Sequence, residues 1–98
     1  MGYYVIEVIT IKLYKEIGKL FPQLEKFFTD KELIEFINES DLDLYHFGFG
    51  TWIRNNFIHP DKSVLRRLFL ENYIVHPDDM SSLIIKLFHE YLSKNSTR

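Results

Sequence analysis

Apolar residues recur every three or four positions along most of this chain, which is the spacing of one face of an α-helix. The pattern is clearest over residues 80–92, where one face would carry Met80, Leu83, Ile84, Leu87, Phe88, Tyr91 and Leu92. Pro77, Asp78 and Asp79 stand just before that run, and proline and acidic residues both favour the start of a helix. The pattern therefore predicts a long last helix that begins at Pro77.

A second helical face is predicted for residues 45–57, a stretch that holds the only tryptophan of the chain. Its apolar members are Tyr45, Phe49, Trp52, Ile53 and Phe57. Asn55 and Asn56 are residues typical of a helix end. We expect this stretch to form a central helix, with the first and last helices packed on either side of it.

The first twenty residues are the hardest to assign. Strand-forming residues dominate positions 3–11, yet helical spacing extends from Ile6 to Leu20. The length of that spacing favours a helix that Pro22 stops, although helix and strand both stay open for residues 3–11. A short connection, with room for one helical turn, then leads to Thr29. Thr29 followed by Glu32 is a capping box, which predicts a helix to about Asn38.

The tripeptide His-Pro-Asp occurs twice, at residues 59–61 and 76–78. Proline in the first turn followed by an acid is typical of a helix start, so both copies are predicted to begin helices. The predicted fold is therefore all-α, a single small bundle of about five helices around the tryptophan-containing helix. One domain should span residues 1–98, with residues 93–98 as a polar tail.

Two glycines in the central stretch need a physical reason, because glycine in a helix costs about 0.5–1 kcal/mol relative to alanine. In a helix, His46, Gly50 and Arg54 would form one row, with bare backbone between an imidazole and a guanidinium. Close approach of another helix explains Gly48 and Gly50, and packing of this kind is the commoner cause. The alternative is a notch that binds a small anion.

Arg54 lies among aromatic residues, where a guanidinium favours a bidentate carboxylate partner. Asp78 and Asp79 are the expected partners, and a buried pair would lose about 3–5 kcal/mol if one member were removed. Such a pair would tie the central helix to the start of the last one. The functional alternative is a phosphate or carboxylate site, or a hydrolytic one, made by His46 and Arg54 with Gly50, Asn55 and Asp79. Gly48, Trp52 and Asp78 are assigned structural roles.

Composition removes several classes of function. The net charge is −2 and the pI is near 6.0, which disfavours nucleic-acid binding; only Arg66, Arg67 and scattered lysines support it. There is no cysteine, and no two of the four histidines have metal-ligand spacing, so neither a metal nor a cofactor is predicted. No secretory signal or membrane span is recognisable, and a cytoplasmic location is the default expectation.

The blocks HFGFGTWIRN, residues 46–55, and HPDDMSSLI, residues 76–84, resemble a small bacterial domain-of-unknown-function family. That family has an HFGxGxWIRN block followed by a PDDxS block, and the likeness covers residues 44–92. The resemblance implies a compact, mostly helical intracellular domain and no assigned activity.

Function is predicted in outline only. The aromatic content of 16% is high, and it can exceed what one copy of so short a chain buries. We therefore predict a non-catalytic protein-interaction or accessory module that can self-associate as a homodimer. No catalytic residue is assigned.

Overall fold

The computed structural model describes residues 2–95, with side chains from Thr10 onward. In this part of the chain there are six α-helices, one 3-10 helix, one π-helical turn and no strand. The α-helices are α1 (Gly2–Gly18), α2 (Phe21–Glu25), α3 (Asp30–Asn38), α4 (Phe49–Ile53), α5 (Val64–Glu71) and α6 (Pro77–Asn95). The 3-10 helix is Leu42–Tyr45 and the π-helical turn is Arg54–Ile58. The all-α prediction is confirmed, with six α-helices rather than about five, and residues 3–11 are helical.

The start of α3 follows the sequence prediction closely. The Thr29 hydroxyl accepts a hydrogen bond from the Glu32 backbone N–H at 3.1 Å, and the Glu32 carboxylate accepts one from the Thr29 N–H at 2.8 Å. The backbone bond, followed by a second bond from the Thr29 hydroxyl, lowers the pKa of Glu32 below its ordinary value. Because a capping box satisfies two otherwise unpaired groups, the helix boundary is fixed locally.

The central helix begins later than the sequence pattern predicts. Asp41 accepts a hydrogen bond from the Asp43 N–H at 3.2 Å, which starts the 3-10 helix, and residues 46–48 then form a turn. The α-helix begins only at Phe49. Tyr45 and His46 are therefore outside α4, so His46, Gly50 and Arg54 are not one helical row.

The far end of the central helix also differs from the prediction. The chain does not stop at Asn55 and Asn56 but continues through the π-helical turn, in which the His59 N–H donates to the Arg54 carbonyl at 2.8 Å. This bond spans five residues instead of four. As a result Ile53 and Ile58, five positions apart, are both fully buried.

The repeated His-Pro-Asp tripeptide has two different outcomes. Pro77 begins α6, as predicted. Pro60 instead lies in a loop, and α5 begins at Val64, because Ser63 supplies the cap. The Ser63 hydroxyl accepts from the Arg66 N–H at 3.0 Å and donates to the Phe57 carbonyl at 2.5 Å. The tripeptide alone does not start a helix.

One more proline was misplaced by the sequence pattern. Pro22 does not terminate α1, which ends at Gly18. It lies instead in the first turn of α2. The backbone N–H groups of a first turn have no acceptor within the helix, so the N–H that proline lacks is not a lost hydrogen bond.

One cluster of buried residues joins all the larger helices. Its largest fully buried side chains are Phe36, Phe49, Phe69 and Phe88, one each from α3, α4, α5 and α6. Helix α6 packs against α3, α4 and the π-helical turn, whereas α1 packs mainly against α5. The central helix is therefore not enclosed between the first and last helices. Trp52 is partly buried, with ring centroids 5.1 Å from Phe27 and 5.5 Å from Phe57.

Residues 93–95 of the predicted polar tail are helical, because α6 runs to Asn95. The other predicted tail residues, 96–98, lie outside the described part of the chain. Among the described helices, none has the length and apolar character that crossing a membrane requires.

Candidate functional site

Arg54 joins the central helix to the last helix through its guanidinium. Nη1 donates to the Ser81 hydroxyl at 2.7 Å. Nη2 donates to the Thr51 hydroxyl at 2.9 Å and to the His46 carbonyl at 3.3 Å. The Arg54 side chain is only 11% exposed, so these charge-assisted bonds are largely shielded from water. The guanidinium therefore holds three separate segments together: the turn before α4, α4 itself and the first turns of α6.

Ser81 is the residue of this network that sequence reasoning missed. It is fully buried, and among the side chains that the structure describes it is the one buried polar residue. Its hydroxyl accepts from Arg54 and donates to the Asp78 carbonyl at 3.1 Å, so both of its hydrogen-bonding functions are used. The sequence did carry a signal: Ser81 lies four residues before Ile85, and this pair shares the side of α6 that faces α4. A serine on that side needed a buried partner.

Asp78 meets Arg54 in the expected place but not with the expected geometry. Its Oδ1 is 3.7 Å from Arg54 Nε, and its Oδ2 is 3.8 Å from His46 Nε2. These are single long contacts and not a bidentate pair, because the inward-facing nitrogens are already bonded to neutral oxygens. Asp78 is 67% exposed, so the cost expected for breaking a buried pair does not apply.

Gly50 is buried because its place is filled from three sides. A Cβ atom there would lie 3.0 Å from Arg54 Nη1, 3.4 Å from the Tyr45 carbonyl oxygen and 3.7 Å from Ile85 Cδ1. The space beside the glycine is therefore occupied by the guanidinium of the same chain and by α6. The tightest contacts come from Arg54 and Tyr45 of the same segment, whereas α6, the other helix, is in ordinary contact at 3.7 Å.

The remaining predicted site residues make none of the contacts of this network. Asn55 is exposed in the π-helical turn, and Asp79 is exposed in the first turn of α6, where it lies at the positive end of the helix dipole. Gly48 is exposed at the start of α4, and nothing lies within 4 Å of a Cβ placed there. Of the predicted set, the structure brings together His46, Gly50, Arg54 and Asp78.

A groove of about 420 Å³ lies beside His46, between the 3-10 helix and α6. Asp41, Asp43 and Lys86 provide charge along it, and Ile85 provides an apolar wall. No cluster of three metal-ligating side chains occurs in the described part of the chain. Leu44 follows the groove-lining Asp43 in the sequence, and Phe47 follows the groove-lining His46. The side chains of Leu44 and Phe47 are 67% and 83% exposed. The arrangement is a mixed polar and apolar surface beside a rigid internal network.

The comparisons with known proteins give one finding. The model of the family described as Domain of unknown function (DUF6794) matches residues 15–92. That range includes the whole Arg54 network. No curated protein and no solved structure matches the chain.

Proposed function

Because this chain belongs to the DUF6794 family, a domain of unknown function, we propose its function from its own surface. It is a non-catalytic protein-interaction or accessory module of the bacterial cytoplasm, and it binds through the Phe47 surface. This surface consists of Leu44, Phe47 and the adjoining groove lined by His46, Ile85 and Lys86.

The observation that carries this proposal is the exposure of Phe47. Its ring is 83% exposed and contacts one other ring, that of His46, at a centroid distance of 4.8 Å. Leu44, three residues earlier, is 67% exposed. Leu44 lies in the 3-10 helix and Phe47 in the turn that follows it, so two exposed apolar side chains occur within four residues of the chain. Neighbouring exposed apolar groups beside a polar groove are typical of a protein contact surface.

The rigid mounting of this surface supports the same function. Arg54 binds the His46 carbonyl, which anchors the turn that carries Phe47. A contact residue on an anchored turn loses little conformational entropy when a partner binds. The Arg54 network is therefore interpreted as the support of the binding surface.

Affinity capture from native cell extract tests the proposal, with Phe47→Ser as the variant. Tyr73→Asn is the matched control: Tyr73 is 86% exposed and has a positive φ of 63°, which asparagine adopts readily. A protein retained by the wild type and by Tyr73→Asn, but lost with Phe47→Ser, would support the Phe47 surface. Equal retention by all three, with melting temperatures unchanged, would refute it.

The alternative function is a site for a small anion, or a hydrolytic site, at His46, Gly50, Arg54, Asn55 and Asp79. The proximity of His46 and Arg54 favours it. The internal bonds of the guanidinium weigh against it, because a ligand would have to replace Ser81 or Thr51. A thermal-shift screen of phosphates, nucleotides and carboxylates separates the two functions. An increase in melting temperature that Arg54→Lys abolishes would favour the anion site.

A further inference from the structure

A basic groove of about 690 Å³ lies between α1 and α5, away from the Arg54 network. The cationic side chains that line it are Lys12, Lys15, Lys19 and Arg67, and its apolar floor is formed by Val64 and Leu68. Val64 is 45% exposed although it lies at the start of a helix in contact with α1. The groove therefore offers apolar surface bordered by four cationic and two acidic side chains.

Most of this positive charge has no ion-pair partner among the described side chains. Lys19 pairs with Glu16 at 3.1 Å. Among the side chains that the structure describes, no carboxylate lies within ion-pair distance of Lys12, Lys15 or Arg67. These three cations remain available to acidic groups from outside.

A surface of the opposite character lies on α3 of the same chain. Helix α3 contains Asp30, Glu32 and Glu35 against one lysine, and the longer stretch 25–43 contains seven acidic residues and two lysines. Ile34 is 60% exposed on α3, and Glu35 beside it is exposed as well. The phenol of Tyr45 lies near this negative charge. Its pKa is raised mainly by burial, and further by the carboxylates of Glu39, Glu35 and Glu32. Helix α3 is therefore an acidic helix with one apolar side chain projecting from it.

Two features favour a protein helix over nucleic acid as the occupant of the groove. Glu16 and Glu71 also line the groove and interrupt its positive charge, which suits separate carboxylate side chains better than a continuous phosphate backbone. The apolar floor at Val64 and Leu68 suits an apolar side chain, which a sugar-phosphate chain does not supply. A small acidic helix with an exposed isoleucine satisfies both requirements.

We propose that the groove between α1 and α5 binds α3 of a second copy of this chain. Ile34 of one copy would contact Val64 and Leu68 of the other, and Glu35 would approach Lys15 and Arg67. Because the two surfaces differ, the contact is of the donor–acceptor kind, and each copy carries both halves. The contact uses neither Leu44 nor Phe47, so it goes beyond the proposed function and is independent of it.

Charge reversal on each side gives a direct test by sedimentation velocity at low salt. The groove variant is Lys15→Glu with Arg67→Glu. The helix variant is Glu35→Lys with Asn38→Lys, two exposed positions near the end of α3 where lysine suits the helix dipole. Glu90→Lys, an exposed position on α6 outside both this groove and the Phe47 surface, is the control.

The wild type and Glu90→Lys should self-associate equally, and added salt should weaken both. Each double variant alone should show a dissociation constant at least about tenfold higher. An equimolar mixture of the two double variants should associate again, because each reversed surface then meets an opposite charge.

Three results would overturn the proposal: a wild type that stays monomeric at every concentration, double variants that associate as well as the wild type, or a mixture that does not associate. Melting temperatures of the separate variants establish that each is folded. A different result would assign the groove to nucleic acid and likewise overturn the proposal. In that case the wild type would bind mixed-sequence DNA without self-associating, and the groove variant would not bind the DNA.

Discussion

Replacing Gly50 with alanine tests the account of the Arg54 network most directly. Alanine should favour the helix by about 0.5–1 kcal/mol. The new methyl group, however, would lie 3.0 Å from Arg54 Nη1 and 3.4 Å from a backbone oxygen, which cannot move freely. Displacing the guanidinium weakens its 2.7 Å bond to Ser81, and a hydrogen bond to a charged group contributes about 1.5–3 kcal/mol. The net expectation is a loss of about 1–2 kcal/mol.

Thermal and urea unfolding measure this loss, and about 4–8 °C of melting temperature is expected for each kcal/mol in a chain of this size. Gly18→Ala is the matched control, because nothing lies within 4 Å of a Cβ placed at Gly18. It should stabilise the chain by up to about 0.5–1 kcal/mol.

A double-mutant cycle then identifies the cause. If Gly50→Ala acts by pushing Arg54 away from Ser81, it should cost less in a Ser81→Ala background than in the wild type. Equal cost in both backgrounds would place the clash elsewhere. A Gly50→Ala protein at least as stable as the wild type would refute the close-packing account.

Three further outcomes are expected. In urea unfolding, Ser81→Ala should lower the free energy of unfolding by about 1.5–3 kcal/mol. Asp78→Ala, at an exposed position, should lower it by less than about 1 kcal/mol. The reverse order would mean that the ion pair holds the network together. The pKa of Glu32 is lower in the folded protein than its ordinary value of 4.5. Glu32 therefore stabilises the fold fully at pH values above 4.5, and this stabilisation is lost as the pH falls through the lower folded pKa. Glu32→Gln should therefore reduce acid destabilisation in a pH series of melts, and an unchanged acid profile would contradict this. The pKa of Tyr45 is higher in the folded protein than its ordinary value of 10.0. Tyr45 therefore stabilises the fold fully at pH values below 10.0, and this stabilisation is lost as the pH rises through the higher folded pKa. Tyr45→Phe should reduce the alkaline loss, and a parallel alkaline profile would count against the burial of the phenol.

The sequence was informative where a local rule determines the structure. The capping box at Thr29 and Glu32, and the acidic start of α6 at Pro77, depend on neighbouring residues alone, so both helices begin as predicted. The assignment of residues 3–11 to a helix followed from spacing over a longer range, which one α-helical face explains and a strand does not.

The errors arise where a helix boundary is set by partners distant in the sequence or by an unusual turn. Ser63 takes over as the cap of α5 through a bond to the Phe57 carbonyl, which no pattern at Pro60 reveals. The choice of Asp78 over Asp79 needed the relative orientation of two helices. Ser81 was overlooked because its position four residues before Ile85 shows that it needs a buried partner but does not show that the partner is Arg54.

The five-residue turn that begins at Arg54 allows the chain to lose one residue in this region without a change of fold. Ile53 and Ile58 stay on the core side because the turn accommodates one residue more than a regular helical turn does. Deleting either exposed asparagine would bring the two isoleucines four apart, and an ordinary α-helix would then keep both on that same side. Homologous chains that are one residue shorter here can therefore preserve the same interior, and an alignment gap at this point does not indicate a different fold.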